Sequence, residues 1–110
     1  MATTYKILGQ SNPSDTSVTD LYTVPSATEA VVSTITATNV DGTASDISIY
    51  IVEDGDTAGT ANALVYEAEL GANTIQAFTI GVTLGAADKI QVELATGSAA
   101  TFQAFGSELS

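Results

Sequence analysis

Apolar residues in this chain recur at every second position. That is the spacing of a strand with one buried face, whereas an amphipathic helix needs a period near 3.6. Ile47, Ile49 and Ile51 form one apolar face, and Ile90, Val92 and Leu94 alternate with Gln91, Glu93 and Ala95. Phe78, Ile80, Val82 and Leu84 alternate with Thr79, Gly81 and Thr83, and Phe102, Ala104 and Gly106 with Gln103 and Phe105. Tyr5, Ile7 and Gly9 share a parity near the start, and residues 18–24 form a β-rich run that stops at Pro25. Val31, Ile35 and Ala37 are predicted to share a face whose reverse carries Thr34, Thr36 and Thr38. Turn-forming clusters separate the runs: residues 11–15, Pro25-Ser26, Asp41-Gly42-Thr43, Asp54-Gly55-Asp56, Gly71-Ala72-Asn73 and Gly97-Ser98. Glycine supplies positive φ, and Asn and Asp bond to nearby backbone, so each cluster is a plausible chain reversal. The expectation is one all-β domain over residues 1–110. It would be an antiparallel β-sandwich of seven or eight strands, jelly-roll-like or immunoglobulin-like.

Residues 61–70 fit two patterns. Ala61, Leu64, Val65 and Ala68 have helical spacing, while Leu64, Tyr66, Ala68 and Leu70 make a strand face. The strand is preferred because its neighbours are strands. Residues 54–62, rich in Gly, Ala and Thr, read as a surface loop.

Charge narrows the function. The chain has 13 acidic residues against two lysines and no arginine, a formal net charge of −11. Nucleic-acid affinity depends on cations that displace counterions from phosphate, so no nucleic-acid partner is expected. Anionic membranes are disfavoured for the same reason. No apolar run approaches the ~20 residues of a membrane-spanning helix, and the first residues lack the pattern of a signal peptide. The strong like charge suits a face turned to water.

Histidine and cysteine are both absent. This removes the usual transition-metal ligands, nucleophile–histidine pairs and any disulfide framework. Glu67 and Glu69 could be paired carboxylates of the kind that hydrolyse glycosides, but on a strand they read as a solvated face. No enzyme is expected, no catalytic residue is assigned and no cofactor is required. A calcium ion held by Glu53, Asp54 and Asp56 around a glycine turn is the one alternative, since calcium takes oxygen ligands from such loops. The run does not match the EF-hand spacing. The four tyrosines could form a platform for sugar or protein, although tyrosine is also an ordinary strand residue. With only seven aromatic residues the core must be mainly aliphatic, and self-association would add burial.

Two stretches carry a resemblance. Leu21-Tyr22-Thr23-Val24-Pro25-Ser26, then residues 30–35 and Asn39, resemble a pattern of small structural proteins of tailed bacteriophages, especially marine cyanophages. The opening Tyr5-Lys6-Ile7-Leu8-Gly9-Gln10 and the closing Phe105-Gly106-Ser107-Glu108-Leu109 are similar to the same proteins. The family pattern has Gly-Lys after the proline, where this chain has Ala27-Thr28-Glu29. The resemblance implies a virion protein made in the host bacterial cytoplasm, most simply a capsid decoration or cement protein on the outer shell. Its partner would be the major capsid protein or another virion protein. A tail, collar or fibre component touching the host surface is the alternative, and a carbohydrate-binding module a further one. The C-terminal strands also resemble trimeric jelly-roll domains of the tumour-necrosis-factor and C1q type, which implies a homo-oligomer, threefold by that likeness. The residues expected to touch partners lie in the terminal strands, whose edges could pair with another chain: Tyr5, Ile7, Leu8, Phe102, Phe105 and Leu109.

Overall fold

The computed structural model describes residues 2–110. Nine strands follow one another: β1 (Thr3–Ser11), β2 (Thr19–Thr23), β3 (Glu29–Asn39), β4 (Ser45–Val52), β5 (Ala63–Leu70), β6 (Ile75–Phe78), β7 (Val82–Leu84), β8 (Lys89–Leu94) and β9 (Ala100–Leu109). A single 3-10 turn, Thr60–Asn62, precedes β5. The strand reading of 61–70 therefore holds from Ala63 onward.

The strands form two antiparallel sheets. One has the order β1-β9-β3-β6, with β7 also paired to β3, and the other has the order β2-β8-β4-β5. If β6 and β7 are taken as one interrupted strand, the ladders nest. The first strand pairs with the last (β1 with β9), and β2 with β8, β3 with β6 and β7, and β4 with β5 follow inward. A long antiparallel ribbon rolled up on itself gives this order, which is the jelly roll. The immunoglobulin-like alternative is thereby set aside.

The count of nine, against the expected seven or eight, comes from one break. Residues 78–84 read as a single alternating run, but β6 pairs with residues 35–38 of β3 and β7 with residues 30–32. Between those segments β3 is bulged at Ser33, since Val32 faces Gly106 and Thr34 faces Phe105. The extra residue bends β3 and interrupts its ladder, so the partner strand is cut at the same level.

The same bulge reverses the side-chain parity of β3. Ile35 and Ala37 point into the core as expected, but Val31 is 40% exposed and its neighbour Val32 is fully buried. A one-residue slip sends every preceding side chain to the other face. A second bulge at Leu8 acts likewise in β1, so Gly9 lies opposite core residue Ala104 while Tyr5 and Ile7 face outward. A third, at Leu21, lets consecutive residues Leu21 and Tyr22 both be buried.

The core between the sheets is mainly aliphatic. Val32, Ile35, Ile49, Ile90, Val92 and Leu94 surround Phe102, the largest fully buried side chain. Asn39 is buried with its polar atoms engaged. Its amide donates to the carbonyls of Thr43 (3.1 Å) and Leu70 (3.0 Å), and its oxygen accepts from the Asp41 N–H (2.7 Å). It thereby fixes the β3–β4 turn against the end of β5, and among the described residues no buried side-chain N or O atom lacks a hydrogen-bond partner.

Candidate interaction surface

The outer faces of the two sheets differ in chemistry. On the β1-β9-β3-β6/β7 sheet, the register sets Tyr5 beside Ser107, Val31 and Thr83. The next outward row holds Ile7, Phe105 and Thr34. Below the bulges come Gln10, Gln103, Thr36 and Ala77, then Thr101, Thr38 and Ile75; at the far end Leu109 lies between Thr3 and Glu29. Glu29 is the one charged residue among these outward positions. Tyr5 is 84% exposed, Ile7 53% and Ile75 63%, while Phe105 and Leu109 are half-buried. The result is an apolar and hydroxyl-bearing sheet face on a protein of net charge −11.

The outer face of the other sheet is acidic. Asp20, Gln91, Glu93 and Lys89 lie there with Ser48 and Tyr50. Asp46, Glu67 and Glu93 border a shallow depression beside Ser48. Tyr50 is buried yet lies outside the core cluster. Tyr66 packs edge-on against it with ring centroids 6.5 Å apart, and the Tyr50 hydroxyl donates to Glu93 at 2.8 Å. Burial first, then the hydrogen bond to Glu93, raises the Tyr50 hydroxyl above its ordinary range. Exposed Tyr66 is also raised, first through its hydrogen bond to Glu67.

Of the six residues expected to touch partners, four converge. Tyr5, Ile7, Phe105 and Leu109 share the outer face just described. Phe102 does not belong to it; its ring has no exposure and fills the core, because β9 alternates inward at Ala100, Phe102 and Ala104. Leu8, at the bulge, is half-buried and packs against the core. Val31 joins this face through the Ser33 bulge, which period-two spacing does not reveal.

The two terminal strands differ in edge exposure, since β1 ends its sheet and β9 does not. β9 lies inside its sheet, between β1 and β3 from Phe102 to Leu109. The true edges are interrupted. β1 is bulged at Leu8, β2 at Leu21, and β5 twice against β4, with Glu67 at φ +47° in the first of these. The opposite edge of the first sheet is cut into β6 and β7. Bulges and short strands discourage strand addition, whereas the sheet face is uninterrupted across its strands.

The acidic turn at Glu53, Asp54 and Asp56 is a backbone reversal. Asp56 N–H donates to the Glu53 carbonyl (2.9 Å), and the Asp56 carboxylate accepts from the Thr57 N–H (2.8 Å). Asp54 N–H is held by the Asp88 carboxylate at 2.8 Å. Among the described residues no three His, Cys, Asp or Glu side chains gather in a way that could hold a metal ion.

No family model matches this chain, and no curated protein matches it. Among solved structures it is similar to a chain in a structure of infectious bursal disease virus, Gx strain. The two share 13% identity, covering 97% of this chain and 30% of that one, with a TM-score of 0.50. A crystal structure of the viral particle of the same virus gives 15% identity, 96% and 30% coverage, and a TM-score of 0.50. The present chain thus spans under a third of the length of either. At such identity the likeness is one of fold.

Proposed function

We propose that the protein is a structural component of a virion, a capsid decoration protein that attaches to the outer shell of a bacteriophage. The observation that carries this reading is the split surface: one sheet face almost free of charge and rich in exposed apolar side chains, on a chain otherwise strongly acidic. Contiguous exposed apolar surface marks a site of protein association. The acidic face would be turned to water and away from packaged nucleic acid, which it would repel. Jelly rolls recur in viral capsid domains, and the likeness to chains of a viral particle supports that setting. The sequence resemblance described above supplies the bacteriophage context. The work of the molecule is adhesive: its uncharged sheet face would be buried against a neighbouring protein of the particle surface, and that burial would hold the surface together.

Copy number tests the proposal. Quantitative mass spectrometry of purified particles should give this chain in a fixed ratio to the major shell protein, in numbers set by the shell lattice. A handful of copies would assign it to a tail, collar or fibre instead. Its absence from the particle would overturn the structural reading altogether.

A further inference from the structure

We infer that the outer face of the β1-β9-β3-β6/β7 sheet docks a second copy of this chain, face to face about a twofold axis. The inference rests on the reading of that face as an assembly surface and names its occupant.

Three observations select a second copy. The first is charge. Each molecule carries a net charge of −11, so two copies brought together through their acidic surfaces would repel. Self-association needs a face where carboxylates do not meet, and this sheet presents Glu29 alone, at the end of the face beside Leu109. A basic partner would be drawn to the opposite sheet, around Asp20, Glu67 and Glu93.

The second is self-complementary hydrogen bonding. The Gln10 amide donates to the Gln103 oxygen at 2.7 Å. That bond leaves the Gln10 carbonyl oxygen and the Gln103 amide hydrogens for an outside partner, an acceptor beside a donor. A twofold operation sets each donor against the other copy's acceptor, as isologous contacts require. The hydroxyls of Thr34, Thr36, Thr38 and Ser107 donate and accept alike, so they too can meet their own kind.

The third is size and shape. The molecule is a slab with extents 45 × 26 × 21 Å. Four strands spaced ~4.8 Å apart, the longest rising ~3.3 Å per residue over its 11 residues, give a face of about 700 Å². An ordinary stable interface buries about 800 Å² per partner, so the sheet face and its rim are of the right order. Because the strand edges are interrupted, the face is the larger continuous surface.

The test is sedimentation velocity with light scattering on the intact chain over a dilution series. A monomer–dimer equilibrium is expected. Tyr5→Glu and Ile7→Lys should each weaken it by at least about tenfold, as the loss of a large apolar anchor buried in an interface does. Both positions are exposed in the free chain, so the urea midpoint should not move. Val18→Lys, exposed in the β1–β2 connection, is the off-face control and should leave the dimer intact. Added sodium chloride should tighten association by screening net repulsion, whereas an ion-paired interface would weaken. A chain that stays monomeric at every concentration overturns the second copy, and particle copy number would still decide the structural reading separately. A dimer indifferent to both face substitutions overturns the location, and a trimeric mass overturns the twofold arrangement.

Discussion

Tyr22 on β2 donates its hydroxyl hydrogen to the carboxylate of Glu108 on β9, and this bond crosses from one sheet of the sandwich to the other. Lys6 on β1 approaches the same carboxylate at 3.3 Å. Burial, then the bond to Glu108, raises the Tyr22 hydroxyl well above its ordinary range. Glu108 is lowered, first by the Tyr22 hydrogen bond and secondarily by Lys6, against an opposing effect of burial.

The Tyr22–Glu108 bond should give stability a defined pH dependence. The folded state favours the Glu108 carboxylate, so its contribution is complete above the ordinary glutamate range near ~4.3 and is lost as pH falls through the lower folded value. On the alkaline side the contribution is complete below the ordinary tyrosine range near ~10 and is lost as pH rises toward the raised folded value. Tyr22→Phe is expected to cost about 1.5–3 kcal/mol at neutral pH, the usual range for a hydrogen bond to a charged group. Urea unfolding of wild type and variant at pH 7 and pH 3 checks this, and the gap between them should shrink at pH 3.

Gly106 should be intolerant of any side chain. A Cβ there would lie 2.0 Å from the Val31 carbonyl oxygen and 3.0 Å from the Val32 Cα, both backbone atoms of β3. β9 and β3 would have to separate at the centre of the sheet. Gly106→Ala is expected to destabilise by about 3 kcal/mol or more, at the upper end for overpacking. Gly42→Ala, with nothing within 4 Å of its added Cβ, should stay within about 0.5 kcal/mol of wild type. Denaturant midpoints of the two variants decide it.

Ala87 is held at φ +68° in the turn before β8. Its N–H donates to the Val24 carbonyl at 3.0 Å, and Val24 N–H donates to the Asp88 carbonyl at 2.9 Å. The turn is therefore locked in a conformation that costs an L-residue roughly 1–2 kcal/mol. Ala87→Gly relieves that cost and gives back roughly 0.5–1 kcal/mol through chain entropy. The expected result is a net gain of up to about 1.5 kcal/mol, read as a higher melting temperature. Ala27, at φ +55°, is held in the same region, and a glycine there would likewise be unstrained.

Much of this architecture is legible in the chain. The alternation at Ile47, Ile49 and Ile51 and at Ile90, Val92 and Leu94 assigns the central strands correctly, because those segments are regular and face the core. The bulges are what the sequence conceals. Ser33, Leu8 and Leu21 look like any strand residue, yet each inverts or doubles the burial pattern around it. Alternation alone therefore puts Val31 on the wrong face and makes β6–β7 one strand. The interaction face was half legible for the same reason. Tyr5, Ile7, Phe105 and Leu109 were picked out as terminal-strand residues, but only the register shows that they share a face and that Phe102 does not. Strand order is a tertiary property that period-two patterning does not encode, so the nested ladders of the jelly roll had to come from the structure.

Tyrosine footprinting by radical oxidation, read by mass spectrometry in the assembled particle and in dilute free protein, tests the central claim most directly. Tyr5 (84% exposed) and Tyr66 (50% exposed) lie on opposite sheets and serve as probe and control in one molecule. The split-surface account expects Tyr5 to be protected on assembly while Tyr66 stays reactive. Equal reactivity of Tyr5 in particle and free protein, or protection of Tyr66 in its place, would contradict it.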